Sequence, residues 1–364
     1  MVLNKSPLIK FSVIITVFLI ILYVYYLRIT KQQTSPTIRR LETVIINYST
    51  TKEVEERQPE GPTRIVYSYA DLGVDLCDRG ATRLDWPKKA IFNPETFQEC
   101  PEAGIVTAVV GGRTGNYMWE YASTLALSKV TGLPPFMPKC LKDELSVIFQ
   151  NLTVPTFAEI SNCPIKADKY VEALDDWDNH TQSIILPRYH FQKAPVSMYL
   201  DTIRQEFTFR PIIKGKAEQI LRAIVDQLPP SKYTFVAVHV RRTDYIKYLK
   251  RKYGYTPVDP SFFVRAMNYF KKKYPNCVFI FVSDEPKWCY ETYGSLKNVF
   301  VPSLNVKYTP AVDLALMAAC NHTIYDYGTF GDWGAFLAGG EVVMYNMTDN
   351  EWKPNYLENW SLMD

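Results

Sequence analysis

Histidine is scarce in this chain, with four in 364 residues, and none stands in the H-E-x-x-H spacing of a zinc enzyme. Zinc catalysis is therefore not expected. Seven cysteines (Cys77, Cys100, Cys140, Cys163, Cys277, Cys289 and Cys320) are scattered and include no C-x-x-C pair. A strong excess of either charge is also missing. The net charge of +3 carries no clustered basic stripe, which sets nucleic acid aside as a partner. No internal repeat occurs, and long uninterrupted apolar runs are absent except at Phe11–Leu27.

That single run is uncharged and flanked by Lys5 and Lys10 before it and by Arg28 and Lys31 after it. As a helix it rises about 26 Å, close to the roughly 27 Å hydrocarbon core of a thin early-secretory bilayer. A signal anchor retained in the Golgi or endoplasmic reticulum is expected. The alternative, a cleaved signal peptide, fits less well because Tyr23, Tyr25 and Tyr26 stand where small residues would mark cleavage. Flanking charge does not settle orientation. Asn-x-Ser/Thr sequons do better: they occur at Asn4 and, beyond the run, at Asn47, Asn151, Asn179, Asn321, Asn346 and Asn359. A lumenal C-terminal body follows, making the protein single-pass type II, and an oxidising lumen favours some disulfides. The odd cysteine count leaves at least one unpaired or intermolecular.

The organisation expected is a cytoplasmic tail at 1–10, an anchor at 11–27, a stem and lead-in segment at 28–100, and two α/β lobes at 101–228 and 229–364. Residues 28 to about 75 are polar and aperiodic, as a flexible stem requires. A β-branched run from Ile105 to Val110 predicts a strand, and Gly111–Asn116 turns it into a helix ending near Gly132. Ser183–Leu186 predicts a short strand and Met198–Phe207 a helix. Strands are predicted at Phe235–Val240, Val278–Val282, Val299–Val301, Thr323–Tyr327 and Val342–Tyr345. Helical patterns at Ser261–Lys273, Ala311–Ala319 and Asp332–Ala338 alternate with them, the order of a parallel, doubly wound, Rossmann-like sheet.

Ligands of such sheets bind beyond the carboxyl ends of the strands. Those ends are Gly111–Asn116, His239–Tyr245, Ser283–Asp284 and Gly328–Gly331. Together they suit a sugar nucleotide. Arg241 and Arg242 are adjacent guanidiniums where a buried strand emerges, and a pyrophosphate would compensate them; acids such as Asp244 would serve equally. Ser283, Asp284 and Thr329 offer hydroxyls, a carboxylate and helix-start N–H groups, although Ser and Thr there are also ordinary N-caps. His239 shares a strand face with Arg241 while Arg242 points the other way, so one arginine can hold phosphate as the other braces the site. His239 as a hydrogen-bonded core residue is the plainer alternative.

V-H-V-R-R-T-D-Y at Val238–Tyr245 resembles the H-V-R-R-G-D-Y signature of the galactoside α-1,2-fucosyltransferases, glycosyltransferase family 11. Gly112–Ala122 is similar to that family's G-R-L-G-N-Q-M-x-E-Y-A block, and Asp313–Trp333 to its third block. The resemblance implies two Rossmann-like lobes facing across a cleft (the GT-B type). It also implies GDP-fucose as donor on the C-terminal lobe, a glycan acceptor on glycoprotein or glycolipid at the other, and inverting transfer without a metal or other cofactor. On the matched positions, His239, Arg241, Arg242, Asp244, Thr329 and Phe330 become donor-site candidates beside Ser283 and Asp284. Arg113, Asn116, Glu120 and Tyr117 become cleft or acceptor-side candidates. The base stays open between Glu120 and Asp244, with Asn116 able to orient the acceptor hydroxyl, and homodimerisation stays open too. Thr114, Tyr117 and Thr243 replace the family's Leu, Gln and Gly, and Thr243 makes the motif similar also to the α-1,6-fucosyltransferases.

Competing classes meet specific obstacles. Asp176-Trp177-Asp178 matches the D-x-D of a metal-dependent transferase, but Glu172 and Asp175 interrupt any buried strand before it. A sulfotransferase would use Gly111–Asn116 as its phosphate loop, yet that loop has no lysine. A catalytically silent lectin or chaperone would leave Arg241 and Arg242 without a nucleotide to bind.

Overall fold

The computed structural model describes residues 76–77, 100–101, 104–160, 163, 183–254, 256–306, 308–347 and 357–364, all within the compact unit Arg64–Asp364. The anchor run, the stem, Asp176–Asp178, Asn4, Asn47 and Asn179 lie outside them. Among the described residues no helix is long and apolar enough to cross a membrane.

The chain forms a parallel α/β structure with two sheets. In the smaller, β1 (Val106–Ala108) pairs in parallel with β2 (Ile184–Leu186), and single bridges extend it through Pro135. Helix α1 (Thr114–Thr131) follows β1 and stops at Gly132, whose φ of 75° and N–H to Ser128 close its last turn. Then come α2 (Lys139–Ser146), β2, α3 (Lys193–Met198), α4 (Leu200–Glu206) and α5 (Pro211–Val225).

The larger sheet holds six parallel strands: β3 (Thr234–Val240), β4 (Cys277–Ser283), β5 (Val299–Phe300), β6 (His322–Tyr325), β7 (Val342–Tyr345) and β8 (Trp360–Met363). Their order is β5-β4-β3-β6-β7-β8. Helices connect them: α6 (Thr243–Tyr253) and α7 (Pro260–Lys273) after β3, α8 (Pro286–Tyr293) after β4, α9 (Pro310–Ala318) after β5 and α10 (Thr329–Ala338) after β6. Alternating side chains of β3 and β4 serve two cores. Val236, Val238, Phe279 and Phe281 meet Phe262, Met267 and Phe270 of α7, while Ala237, Val278 and Ile280 meet Ile220 and Ile224 of α5 and Leu316 of α9. Burial on both faces makes these strands continuously apolar. Starts are set locally: Asp259 accepts the Ser261 N–H ahead of Pro260, and Thr309 accepts the Val312 N–H ahead of Pro310.

The division at 228–229 differs from the packing in one respect. Helix α5 precedes that boundary, yet Ala217, Ile220 and Ile224 bury against the larger sheet because its apolar face matches the inner side of β3 and β4. A further core crosses between the two parts, joining Trp119 and Tyr121 of α1 to Leu314, Trp333 and Phe336. Two disulfides, Cys77–Cys140 and Cys100–Cys163, tie the lead-in segment to the first part, leaving Cys277, Cys289 and Cys320 as buried thiols.

Candidate functional site

Strand order reverses between β3 and β6: the chain runs outward from β3 through β4 to β5, then returns to the opposite side of β3. Such a switch point opens a crevice at the carboxyl ends of the two central strands. Arg241 and Arg242 follow β3 there, and Asp326, Tyr327 and Gly328 follow β6.

Both arginines are partnered. The Arg241 guanidinium donates to Asp244 and Asp284 and keeps 22% of its side chain exposed. Arg242 donates from Nε to Glu285 at 2.7 Å and lies over the Trp288 ring, 3.8 Å from its centroid. Arg242 is thus braced by a cation–π contact and a carboxylate, while Arg241 sits between two aspartates. Asp284 also accepts the Arg242 N–H at 2.9 Å and the Thr243 hydroxyl, pinning the end of β4 to the start of α6. Thr243, a departure from the resembled signature, therefore contributes a bond that glycine could not.

The Gly-rich loop after β1 reaches the same crevice. Gly112 has a φ of 82°, a conformation that L side chains rarely adopt. Arg113, 78% exposed, lies 3.5 Å from Asp244, which is 57% exposed. Asn116 accepts the Thr329 hydroxyl at 2.7 Å, and Gly115 O accepts the Trp333 indole N–H at 3.0 Å. The Trp119 indole N–H donates to Asp332 at 3.2 Å. The starts of α1 and α10 are so joined directly, with Phe330 held between Thr329 and His239, whose ring centroid is 5.5 Å away.

The structure therefore brings Arg113, Asn116, Arg241, Arg242, Asp244, Ser283, Asp284, Thr329 and Phe330 around one crevice. Their roles separate further. Ser283 accepts the Glu285 N–H at 2.9 Å, a local turn bond, whereas Thr329 spends its hydroxyl on Asn116 rather than on a cap. His239 is buried; desolvation pushes its pKa down to about 4, and Nδ1 has no hydrogen-bond partner among the described residues. Tyr117 is buried as well, and lines a cavity of about 370 Å³ with Val110, Asp143, Glu144, Val147 and the Cys77–Cys140 bridge.

Glu120 is 2% exposed, on the inner side of α1 beneath the loop. Burial pushes its pKa up to about 9; the backbone of Gly111 and Tyr189 and the charge of Arg188 pull the other way without reaching hydrogen-bond geometry. The carboxyl is neutral at pH 7, so in this state it cannot take a proton. Asp244 is the candidate base that stays open to solvent.

Four residues were not singled out in the sequence: Asp326, Glu285, Trp288 and Arg188. Asp326 ends an apolar strand one residue before Tyr327-Gly328, and Glu285 and Trp288 follow the Ser283–Asp284 end of β4, so strand-end position was the available signal. Arg188, whose Nε donates to Val110 O at 3.1 Å, follows the short β2 and gave none. Of the sequons, Asn151 and Asn321 are exposed; Asn346 Nδ2 donates to Asp364 and Asn359 Nδ2 to Gly340 O.

A family model described as glycosyl transferase family 11 matches residues 77–364. Galactoside alpha-(1,2)-fucosyltransferase 2 of Pongo pygmaeus is 33% identical over 269 residues, 72% of this chain and 74% of that protein. Galactoside 2-alpha-L-fucosyltransferase Sec1 of Mus musculus is 32% identical over 265 residues, 71% and 70% of the two. Among solved structures, fucosyltransferase NodZ from Bradyrhizobium aligns at 13% identity with a TM-score of 0.43, covering 69% of this chain and 97% of its own. Matched along the whole crevice-bearing region, the chain belongs to glycosyl transferase family 11.

Proposed function

We propose that this chain is a galactoside 2-α-L-fucosyltransferase, transferring L-fucose from GDP-fucose to the 2-hydroxyl of a galactose in a glycan. The observation that carries the reading is the arginine pair at the switch point, facing hydroxyl and loop groups from α10 and the Gly-rich turn. Arg241 meets the donor pyrophosphate, exchanging Asp244 and Asp284 for phosphate oxygens, while Arg242 stays braced on Trp288. Phe330 and Thr329 border the fucosyl side, and Arg113 and Asn116 face the acceptor.

Transfer inverts the anomeric carbon. The bond from C1 to the β-phosphate oxygen breaks as the acceptor oxygen closes on the opposite face, and the hydroxyl proton leaves to a carboxylate, for which Asp244 is the exposed candidate. Guanidinium and backbone donors stabilise the departing GDP, each donor of this kind being worth roughly 3–4 kcal/mol of barrier. No metal is required in this scheme. The two parts of the fold act as the acceptor and donor lobes of a GT-B enzyme, and the whole is held in the Golgi membrane by Phe11–Leu27 with its catalytic body in the lumen.

Detergent-solubilised full chain, incubated with GDP-fucose and a β-galactoside in the presence of EDTA, is expected to give an α-1,2-linked product whose linkage NMR identifies. A product of another linkage refutes the acceptor assignment. Loss of turnover in EDTA, restored by a divalent cation, refutes metal independence.

A further inference from the structure

Asp326 is an acidic group of the crevice that solvent does not reach, at 1% exposure. It stands directly after β6, where β6 pairs with β3 through Tyr325 and His239. One carboxyl oxygen, Oδ2, accepts the Arg241 N–H at 2.8 Å; the other, Oδ1, accepts the Tyr327 N–H at 2.7 Å. The side chain thus continues, beyond the last ladder pair, the connection between the two central strands. Behind it lies His239, with Nδ1 3.8 Å from Oδ1. Both groups are buried, which pushes the Asp326 pKa well above the usual carboxylate range and that of His239 down.

Arg241 makes an unusual demand on this arrangement. Its terminal nitrogens bond Asp244 and Asp284 in the structure, so a diphosphate gripped by both of them competes with those carboxylates. While the side chain changes partners, the backbone must hold its place. The other half of the crevice has the same need, because Thr329 and Phe330 follow Gly328, whose φ of 95° turns the chain sharply from β6 into α10. Asp326 is bonded to both segments. A buried N–H left without an acceptor is costly, so the two bonds hold both turns firmly.

We propose that Asp326 is the positioning residue of the donor site: by accepting the Arg241 and Tyr327 N–H groups it fixes the two turns from which Arg241 and the Thr329–Phe330 pair reach the diphosphate of the sugar nucleotide. The assignment rests on the donor reading given above. Asp326 touches no substrate in it. Its action runs through the backbone and reaches the donor groups directly, while the acceptor-side residues Arg113 and Asn116, on a different loop, feel it only through Asp244 and Thr329.

The test compares Asp326→Ala and Asp326→Asn with Arg241→Ala in the detergent-solubilised full chain, reading GDP affinity by calorimetry and the KM for each substrate. Asp326→Ala is expected to weaken GDP binding and raise the GDP-fucose KM at least tenfold, with a smaller rise in the acceptor KM passed on through Thr329 and Asn116. Asp326→Asn, which keeps one acceptor oxygen, falls between it and the native protein. If Arg241→Ala weakens GDP binding and Asp326→Ala does not, the positioning role is overturned and the donor reading stands. If neither variant weakens it, the donor reading falls as well. Equal rises in both KM values, or loss of folded circular dichroism in both Asp326 variants, make Asp326 a general structural residue and also overturn the proposal.

Discussion

At Gly115 the start of α1 meets the start of α10, and replacing it with alanine tests whether their contact shapes the crevice. A Cβ at Gly115 would lie 2.7 Å from Phe330 N and from Thr329 Oγ1, and 2.8 Å from Thr329 C. Two of these atoms are backbone, so no side-chain rotation relieves the clash. Ordinary contact begins at about 3.5 Å, so the start of α10 must retreat by about 0.8 Å. That movement lengthens the Trp333–Gly115 and Thr329–Asn116 bonds together. Overpacking costs about 1–3 kcal/mol, and the better helix propensity of alanine returns about 1 kcal/mol. The net loss is roughly 0–2 kcal/mol, a fall of at most about 8 °C in Tm for a domain of this size. Activity responds more strongly, because displacement of site groups by about 1 Å can cost on the order of a hundredfold. Gly115→Ala is therefore expected to melt within several degrees of the native protein while losing about ten- to a hundredfold of kcat/KM. Scanning calorimetry and steady-state kinetics measure both. Native kcat/KM in a folded variant would refute the coupling of the α1–α10 contact to the site.

Two other predictions concern Glu120 and the Cys77–Cys140 disulfide. Burial raises the Glu120 pKa from the ordinary glutamate value of 4.5 to about 9 in the folded state, so between those values the native state holds a proton that the unfolded chain has lost. Stability conferred by the protonated group is consequently lost as pH rises through that window. Glu120→Gln mimics the neutral form and should flatten the decline, raising Tm relative to the native protein more at pH 8 than at pH 5; a constant difference across pH would contradict it. The Cys77–Cys140 bridge spans a sequence separation of 63 residues, and closing a loop of that length is worth about 4 kcal/mol in the chain-entropy model. The double variant Cys77→Ser/Cys140→Ser should melt well below the native protein, while thiol titration of native protein in denaturant without reductant should count three thiols, from Cys277, Cys289 and Cys320.

Much of the larger sheet was legible in the sequence because β3 and β4 are apolar on both faces, so their burial is written in consecutive residues. Helix α6 was not, since Thr243–Tyr253 is mostly polar and sits directly after the arginines. Strand β8 was missed for a related reason: Trp360–Met363 is a short edge strand, partly exposed, and carries no buried run. The smaller sheet is built from three-residue strands whose partners are 78 positions apart, as the Ile105–Ser183 bond also shows, and local pattern carries no such pairing. Within the site, strand-end reasoning found Arg241, Arg242, Asp284 and Thr329, because each directly follows or closes an apolar run. It could not assign partners. Asn116 and Thr329 are 213 residues apart, and whether a strand-end hydroxyl caps its own helix or reaches across to another depends on that distance closing. Glu120 shows the same limit: its helical position was plain, but its orientation inward, and hence its neutral state, depends on packing around Trp119 and Arg188.

The central claim is that a nucleotide diphosphate binds where β3 and β6 end, on Arg241. Titration of GDP into the detergent-solubilised full chain and its Arg241→Ala variant, followed by calorimetry in EDTA, tests it most directly. Removing a guanidinium that makes charge-assisted bonds is expected to weaken binding about 10- to 150-fold. GDP binding to the folded variant with native affinity would contradict the account.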